Sequence, residues 1–384
     1  MPIKPTQFHS ALGLTDEHTA IGELAYRIAA KYARASLSDQ DAQDAYWKDL
    51  VEVGFAGMAL PAAYGGGGQG LLEMCVVSER SAAAGYPAGR LVLSQGIVGA
   101  ILVRHGSERQ RQDWLPRIAS GDVLFCFGLT EADSGSNVAM MRTSARPSGA
   151  GWRIRGEKAY ISAVDQADAM LVAAQTPEPG GITLFLVDQP RRRLAHEPMN
   201  MGFAMFENQF IVHFDDLEVG SDAVVGEPGQ GFRALFDGLN PERLLGASHA
   251  VGVGRWAVDL ACGYAGQRVV FDAPIGAHQA VAHPLAESWV HLEAAWALTV
   301  AAARAHDEGR RIGAEANAAK LLACDAGHRA VDQALQTHGG SGYVAELRIL
   351  EKLLFARFLK TAPVTREMAL NHIATEALGL PRSY

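Results

Sequence analysis

The apolar residues of this chain change their spacing twice, and the change restricts its fold more than any single motif does. Up to about residue 122 they recur every three to four positions. From about 123 to 229 they alternate or form short runs broken by Gly, Pro and Asp, and from about 230 the helical spacing returns. ADAMLVAA, ITLFLVD and NQFIVHFDDLEV in the middle stretch read as strands of an antiparallel β domain. The expected class is α+β: an N-terminal helical domain over 1–122, a middle antiparallel β-barrel or sandwich domain over 123–229, and a C-terminal four-helix bundle over 230–384. A chain of 384 residues, 48% of them hydrophobic, is long enough for two or three such domains.

Helix boundaries follow from caps and breakers. Over 15–35, Thr15 is an N-cap, Asp16 and Glu17 favour the positive end of the helix dipole, and Ile21, Leu24, Ala25 and Ile28 form one apolar face. A second helix carries Trp47, Leu50 and Val51 and stops near Gly54; HGSERQRQDWLPRIASGD is more helix. The glycines at 65, 67 and 70 satisfy GxGxxG, yet no clean strand precedes them and no parallel-sheet pattern follows, so a flexible loop is expected in place of a dinucleotide site. Beyond the β domain, Asn240 is read as an N-cap with Pro241 at the first helical position. Further helices are expected over 289–306, from 315 to the stop at Gly339 and Gly340, and from Glu346 to an interruption at Pro363, after which Thr365 caps a closing helix.

Charge and cysteine usage exclude several classes. With 34 basic and 42 acidic side chains the net charge is −8, and no Lys/Arg run looks like a nucleic-acid footprint. Cys75, Cys126, Cys262 and Cys324 lie far apart without CxxC spacing, which argues against disulfides and a zinc or other metal site. The start MPIKPTQFHSALGLTDEH lacks the basic and apolar regions of a signal peptide, and no window offers ~18 uncharged apolar residues. A cytoplasmic protein without a membrane span is expected.

Within the middle stretch, FCFGLTEADSGSN packs Thr130, Ser134, Gly135 and Ser136 around two acids, and so little bulk lets backbone N–H groups approach a flat polar ligand. GWRIRGEKAYIS follows, with Trp152 and Ile154 on one face of a strand and Arg153 and Arg155 on the other. Together these resemble the flavin-binding middle domain of the acyl-CoA dehydrogenase family. ALPAAYGGGG resembles that family's PxxYGG loop. RVVFDAPIGAHQ resembles its R-x-x-F-G-x-x-I-x-x-x-Q motif, with Asp272 in place of the glycine, and QTHGGSGY resembles Q-x-x-G-G-x-G-Y/F. The resemblance runs from about residue 15 to about 378, in the family's order.

The resemblance implies an acyl-CoA dehydrogenase-like fold, FAD as cofactor and an acyl-CoA thioester as substrate. Phe127, Leu129 and Thr130 would meet the flavin's pyrimidine edge, Gly135 and Ser136 would approach the pyrophosphate and the substrate, and Tyr160 and Ser162 would stack with the ring. Tyr160 alone reads as a half-buried strand aromatic; its spacing from the loop favours the flavin role. Arg268, Phe271 and Gln279, with Gln336, Gly339 and Gly340, would reach the FAD of a neighbouring subunit, Arg268 through the two parallel hydrogen bonds its fork can donate to phosphate. The two glycines also suit a helix C-cap and turn. At least a dimer follows, with a dimer of dimers as the family's usual form, and an electron-transferring flavoprotein as its usual acceptor.

The family's α,β-dehydrogenation needs a carboxylate to take the α-proton while the β-hydrogen leaves as hydride. Many members carry it in a Y-E-G-T-S-E segment; here the corresponding KTAPVTREM, aligned through Thr365 and Glu367, puts Pro363 at the base position and Val364 at the glycine. Thr365 and Glu367 are then counted with the cofactor-binding residues. In the isovaleryl and long-chain branches the base comes from the segment written here as LNPER, where it corresponds to Glu242, with Arg243 matching an arginine near the CoA. Glu242 also reads as an ordinary first-turn acid, which the macrodipole favours by about 0.3–1 kcal/mol and whose pKa it depresses, whereas a base working near neutrality needs it raised. Arg243 also reads as a surface charge. Proline at 363 lacks the N–H that in the family helps bind the thioester carbonyl, and losing one such donor typically costs about 10²–10³ in rate. Besides a dehydrogenase, the sequence thus admits a non-catalytic subunit of a hetero-oligomer and a same-fold flavin oxidase or monooxygenase.

Overall fold

The computed structural model describes residues 11–177 and 180–383. The reading of the first ten residues as part of a non-secretory start lies outside them. In chain order the helices are α1 (Asp16–Ala30), α2 (Gln40–Glu52), α3 (Leu71–Ala83), α4 (89–105, wound as π-helix over Val92–Gly99) and α5 (Glu108–Ala119). Strands β1 (Phe125–Gly128), β2 (Ser144–Ser148), β3 (Gly151–Ser162), β4 (Ala169–Thr176), β5 (Gly181–Asp188), β6 (Ala195–Met199), β7 (Gln209–Gly220) and β8 (Val224–Val225) follow. Then come α6 (Gly231–Gln267), the small hairpin β9 (Val269–Val270) and β10 (Ala273–Pro274), α7 (Gln279–Asp307), α8 (Gly313–His338), α9 (Ile349–Leu359) and α10 (Arg366–Glu376). No helix among the described residues is long and apolar enough to cross a membrane.

The chain forms two compact units, 1–50 with 70–88 and 242–384, and 51–69 with 89–241. In the second, the strands order as β6-β7-β3-β2-β4-β5-β8, with β1 beside β4. The expected purely antiparallel pairing is corrected at two places: β1 runs parallel to β4, and β2 meets β4 in parallel at Ser144 and Gln175. The long connection from β1 to β4, which contains the β2–β3 hairpin, supplies the crossover that a parallel pair needs. Strand β4 is buried on both faces, which explains its unbroken apolar run. Ala169, Leu171 and Ala173 pack with Ile97, Ile101 and Leu115 of the helices, and Met170, Val172 and Ala174 pack with Ile154, Phe210 and Val212 of the sheet.

In the helical unit, α3 begins at Gly70, which has no side chain to cap it. Asp307, at the end of α7, accepts from the Leu71 and Leu72 amides at 2.8 and 3.0 Å, and the Glu73 carboxylate accepts from the Gly70 amide at 2.9 Å. A Cβ on Gly70 would lie 2.4 Å from the Asp307 carboxylate, so this glycine of the GxGxxG pattern serves packing, and among the described residues no strand precedes it.

The expected start of a helix at Asn240 is corrected. Helix α6 begins at Gly231 and runs through Pro241. Ahead of the proline, Ala234 and Leu235 are buried in the core and Leu239 packs against it. That burial, about 1.5–3 kcal/mol for a fully buried leucine, offsets the roughly 3 kcal/mol of a mid-helix proline.

The loop between β1 and β2 is closed by one buried ion pair. Lys158, fully buried on β3, donates to the Glu131 carboxylate and to the Leu129 carbonyl, both at 2.9 Å. Glu131 also accepts from the Arg142 and Thr143 amides at 2.6 and 2.9 Å. Burial alone would raise the Glu131 carboxyl, but these donors together hold it below the usual range. Replacing Lys158 with Met strands a buried carboxylate, and a loss of about 3–5 kcal/mol is expected. Urea unfolding of the purified protein checks this; an unchanged midpoint would contradict it.

Candidate active site

The loop and strand β3 build one candidate site within the β unit. The Ala159 amide donates to the Thr130 carbonyl at 3.0 Å, drawing the loop against the strand. Between Lys158 and Ile161 the β3–β7 register shifts, and inside that bulge Tyr160 takes φ 60° with its ring 54% exposed. A tyrosine in the left-handed region is uncommon, and here the bulge turns a large ring away from the core. The next outward residue, Ser162, exchanges hydrogen bonds with the Gln209 side chain at 2.8 and 3.1 Å. Leu129 is buried, whereas Phe127, on β1, and Thr130 are half-buried. Gly135 and Ser136 are exposed on a turn closed by the Glu131–Ser134 backbone pair and by the Ser134 hydroxyl donating to the Asn137 carbonyl at 2.7 Å. A Cβ on Gly135 would meet nothing within 4 Å, leaving space for a ligand to reach the backbone. Leu129, Thr130, Tyr160 and Ser162 are thus brought together beside an open glycine turn. An exposed aromatic, hydroxyls and approachable backbone form a donor set that fits a flat, polar, phosphate-bearing cofactor.

A separate candidate site lies in the helical unit. Glu242 stands in mid-helix on α6, half-buried, so the first-turn setting expected of it does not apply. Burial pushes its carboxyl up to about 7, against the lowering pull of Arg243 and Lys320. Arg243 is itself buried, which corrects its reading as a surface charge; burial lowers its pKa and Glu242 opposes that. One turn along α6, a Cβ on Gly246 would lie 3.7 Å from Pro363 Cδ, so the segment holding the family's usual base position packs beside Glu242's own helix face. Lys320 on α8 is buried and donates to the Val364 carbonyl. Asp325 of the same helix binds Lys360 at 2.7 Å and pairs with Arg366. The Thr365 hydroxyl accepts from the Met368 amide at 3.3 Å as the N-cap of α10, and Glu367 is exposed in that helix's first turn.

The remaining candidates share one exposed end of the helical unit. In the β9–β10 hairpin both central residues, Phe271 and Asp272, have positive φ (52° and 65°), as a tight two-residue turn demands; aspartate tolerates this where the family has glycine. Phe271 is 89% exposed, and Arg268 and Gln279 are exposed beside it in sequence. Helix α8 stops at Gly339, whose φ of 55° and ψ of −135° suit glycine alone. Gln336, Gly339 and Gly340 are exposed. The Tyr264 ring stacks on His338 with centroids 4.5 Å apart, tying the end of α6 to the end of α8 and so the hairpin to the glycine turn.

The sequence reading missed Glu131, Lys158, Gln209 and Lys320 as site-building residues. Two of them leave a trace in the pattern. Lys158 falls in the same alternation phase as buried Ile154, and Lys320 lies at helical spacing from buried Ala316 and Ala323. A cation inside an apolar stripe marks a buried partner.

Profiles of the acyl-CoA dehydrogenase family match this chain over residues 15–122 (N-terminal domain), 126–217 (middle domain) and 229–378 (C-terminal domain). The acyl-CoA dehydrogenase FadE12 of Mycobacterium tuberculosis (strain ATCC 25618 / H37Rv) is 42% identical over 344 residues, 88% of this chain and 89% of that protein. The structure of butyryl-CoA dehydrogenase from Megasphaera elsdenii has a TM-score of 0.89 at 26% identity, covering 95% of this chain and 99% of its own. That of a glutaryl-CoA dehydrogenase from Mycobacterium smegmatis in complex with FADH2 has a TM-score of 0.89 at 25% identity, covering 98% and 97%. Helical, β and helical regions in this order, with the matches spanning nearly all of the chain, establish that it belongs to the acyl-CoA dehydrogenase family of FAD-dependent oxidoreductases.

Proposed function

We propose that the chain introduces an α,β double bond into an acyl-CoA thioester, with Glu242 as the base. The observation that carries this is the environment of one carboxyl: half-buried in mid-helix, free of a helix N-terminus, and pushed up to about 7 by burial. A base works best when its pKa lies near the operating pH. Bound FAD supplies the hydride acceptor. Glu242 takes the α-proton, Arg243 helps fix the CoA portion, and the Thr130–Tyr160 face with Gly135 and Ser136 orients the cofactor. Packing of Pro363 beside the α6 face that carries Glu242 supports one location serving for the other. Because residue 363 has no N–H, the donor to the thioester oxygen lies elsewhere.

The near-full exposure of Phe271, on a hairpin held in strained left-handed geometry, supports a subunit contact in which Arg268, Phe271, Gln279, Gln336, Gly339 and Gly340 serve a neighbour's cofactor. An electron-transferring flavoprotein is proposed as the acceptor and the cytoplasm as the compartment. A non-catalytic subunit is the second reading, favoured by Pro363 alone.

Anaerobic titration with a panel of acyl-CoAs tests the proposal. The yellow wild type is expected to bleach, while Glu242→Gln stays yellow and bleaches at least about 10²-fold more slowly; equal bleaching would remove Glu242 from the mechanism. Stability gives an independent reading. The carboxyl's ordinary value is 4.5 and the folded value about 7, so between these the folded chain keeps a proton the unfolded chain has released, and rising pH favours unfolding. Glu242→Gln is therefore expected to melt higher than wild type at about pH 8 and equally at about pH 4. A lower melting temperature at the higher pH would contradict the burial argument.

A further inference from the structure

We propose that Lys320 is a positioning residue for the base: its buried ammonium clamps the 363–365 segment against α6 and sets a second positive charge, with that of Arg243, beside Glu242. The proposal rests on the reading of Glu242 as the base.

Three contacts define the geometry. Lys320 is 1% exposed, and its hydrogen bond is to a neutral group, the Val364 carbonyl. The adjacent Pro363 packs on the α6 face at Gly246, one turn from Glu242. Helices α6 and α8 also touch backbone to backbone: a Cβ on Gly327 would lie 2.3 Å from the Ala250 carbonyl oxygen, and one on Gly254 would lie 3.1 Å from Gly327 Cα. Glu242 and Lys320 each precede that crossing by roughly two turns of their own helix. The crossing at one end and the Val364 bond at the other fix how far apart the two side chains stand. A shift of either helix would force a Cβ-free contact apart or strand a buried ammonium.

A buried lysine whose hydrogen bond goes to a carbonyl keeps its charge uncompensated by that bond. The groups facing it are Glu242 and Arg243 from α6 and Cys324 and Asp325 from its own helix; Asp325 already holds Lys360 and Arg366. Arg243 is faced in turn by His372 of α10, which also feels Glu315 and Glu376. Burial lowers the Lys320 ammonium, and Lys320 with Arg243 draws the Glu242 carboxyl down against its own burial. Arg243 and, after it, Lys320 thus oppose the burial of the Glu242 carboxyl.

The test is the pH profile of kcat/KM for the holoenzyme, using the best-turned-over member of a panel of straight and branched saturated acyl-CoAs. The neutral variants Lys320→Gln and Lys320→Met are expected to move the acidic limb up by about one unit and to recover most of the rate on the alkaline plateau, whereas Lys320→Arg keeps the wild-type limb. A limb unmoved in folded, yellow neutral variants, or a loss equal at every pH, would overturn the proposal and leave Lys320 a structural residue. Should the neutral variants fail to fold, Lys320→Arg decides: with the charge kept, a limb displaced by more than about half a unit overturns it. Glu242→Gln run alongside separates the two readings. If it retains turnover and the limb, the base assignment fails; if it abolishes turnover while the neutral lysine variants keep the wild-type limb, only the lysine assignment fails.

Discussion

The structure depends on α6 continuing through Pro241. A proline there removes one backbone donor and crowds the preceding turn, yet the helix is 37 residues long and unbroken because apolar side chains on both sides of it are buried. Leu235 on one side and Leu244 and Leu245 on the other have nowhere better to go. The continuity also decides the surroundings of Glu242. Had the helix begun at Asn240, Glu242 would sit among unpaired amides that favour its charge; in mid-helix it faces burial instead, which disfavours it.

Two glutamates show how far local surroundings separate like groups. Glu131 receives two amides and a lysine and is held low, an acceptor that stays ionised and organises a loop. Glu242 is raised to about 7. Opposed environments thus give the same side chain a low pKa in one place and a raised one in another. Lys158 and Lys320 are the matching cations, one against a carboxylate and one against a carbonyl.

Much of this was legible beforehand. The switch from helical to alternating spacing and back gave the class; Thr15 and Thr365 cap the helices expected of them, and α8 stops at Gly339. Among the described residues no strand leads into the glycine-rich loop, as a dinucleotide site would need. What stayed hidden depends on distant parts of the chain. The parallel pairing of β1 with β4 joins Phe125 to Ala169, which no local period encodes. Asn240 and Pro241 carried a strong local start signal, and tertiary packing overrode it. The inward lysines lay in the pattern as misfits, but their partners, Leu129 with Glu131 and Val364, come from other elements.

Asp307 sets an order of events. The two amides at the head of α3 find their acceptor 236 and 235 residues further along the chain. On the ribosome, where synthesis proceeds at about 5–20 residues per second, that acceptor emerges tens of seconds after the amides do. Until then the Leu71 and Leu72 amides have only water to donate to, and this cap cannot close before Asp307 has been made.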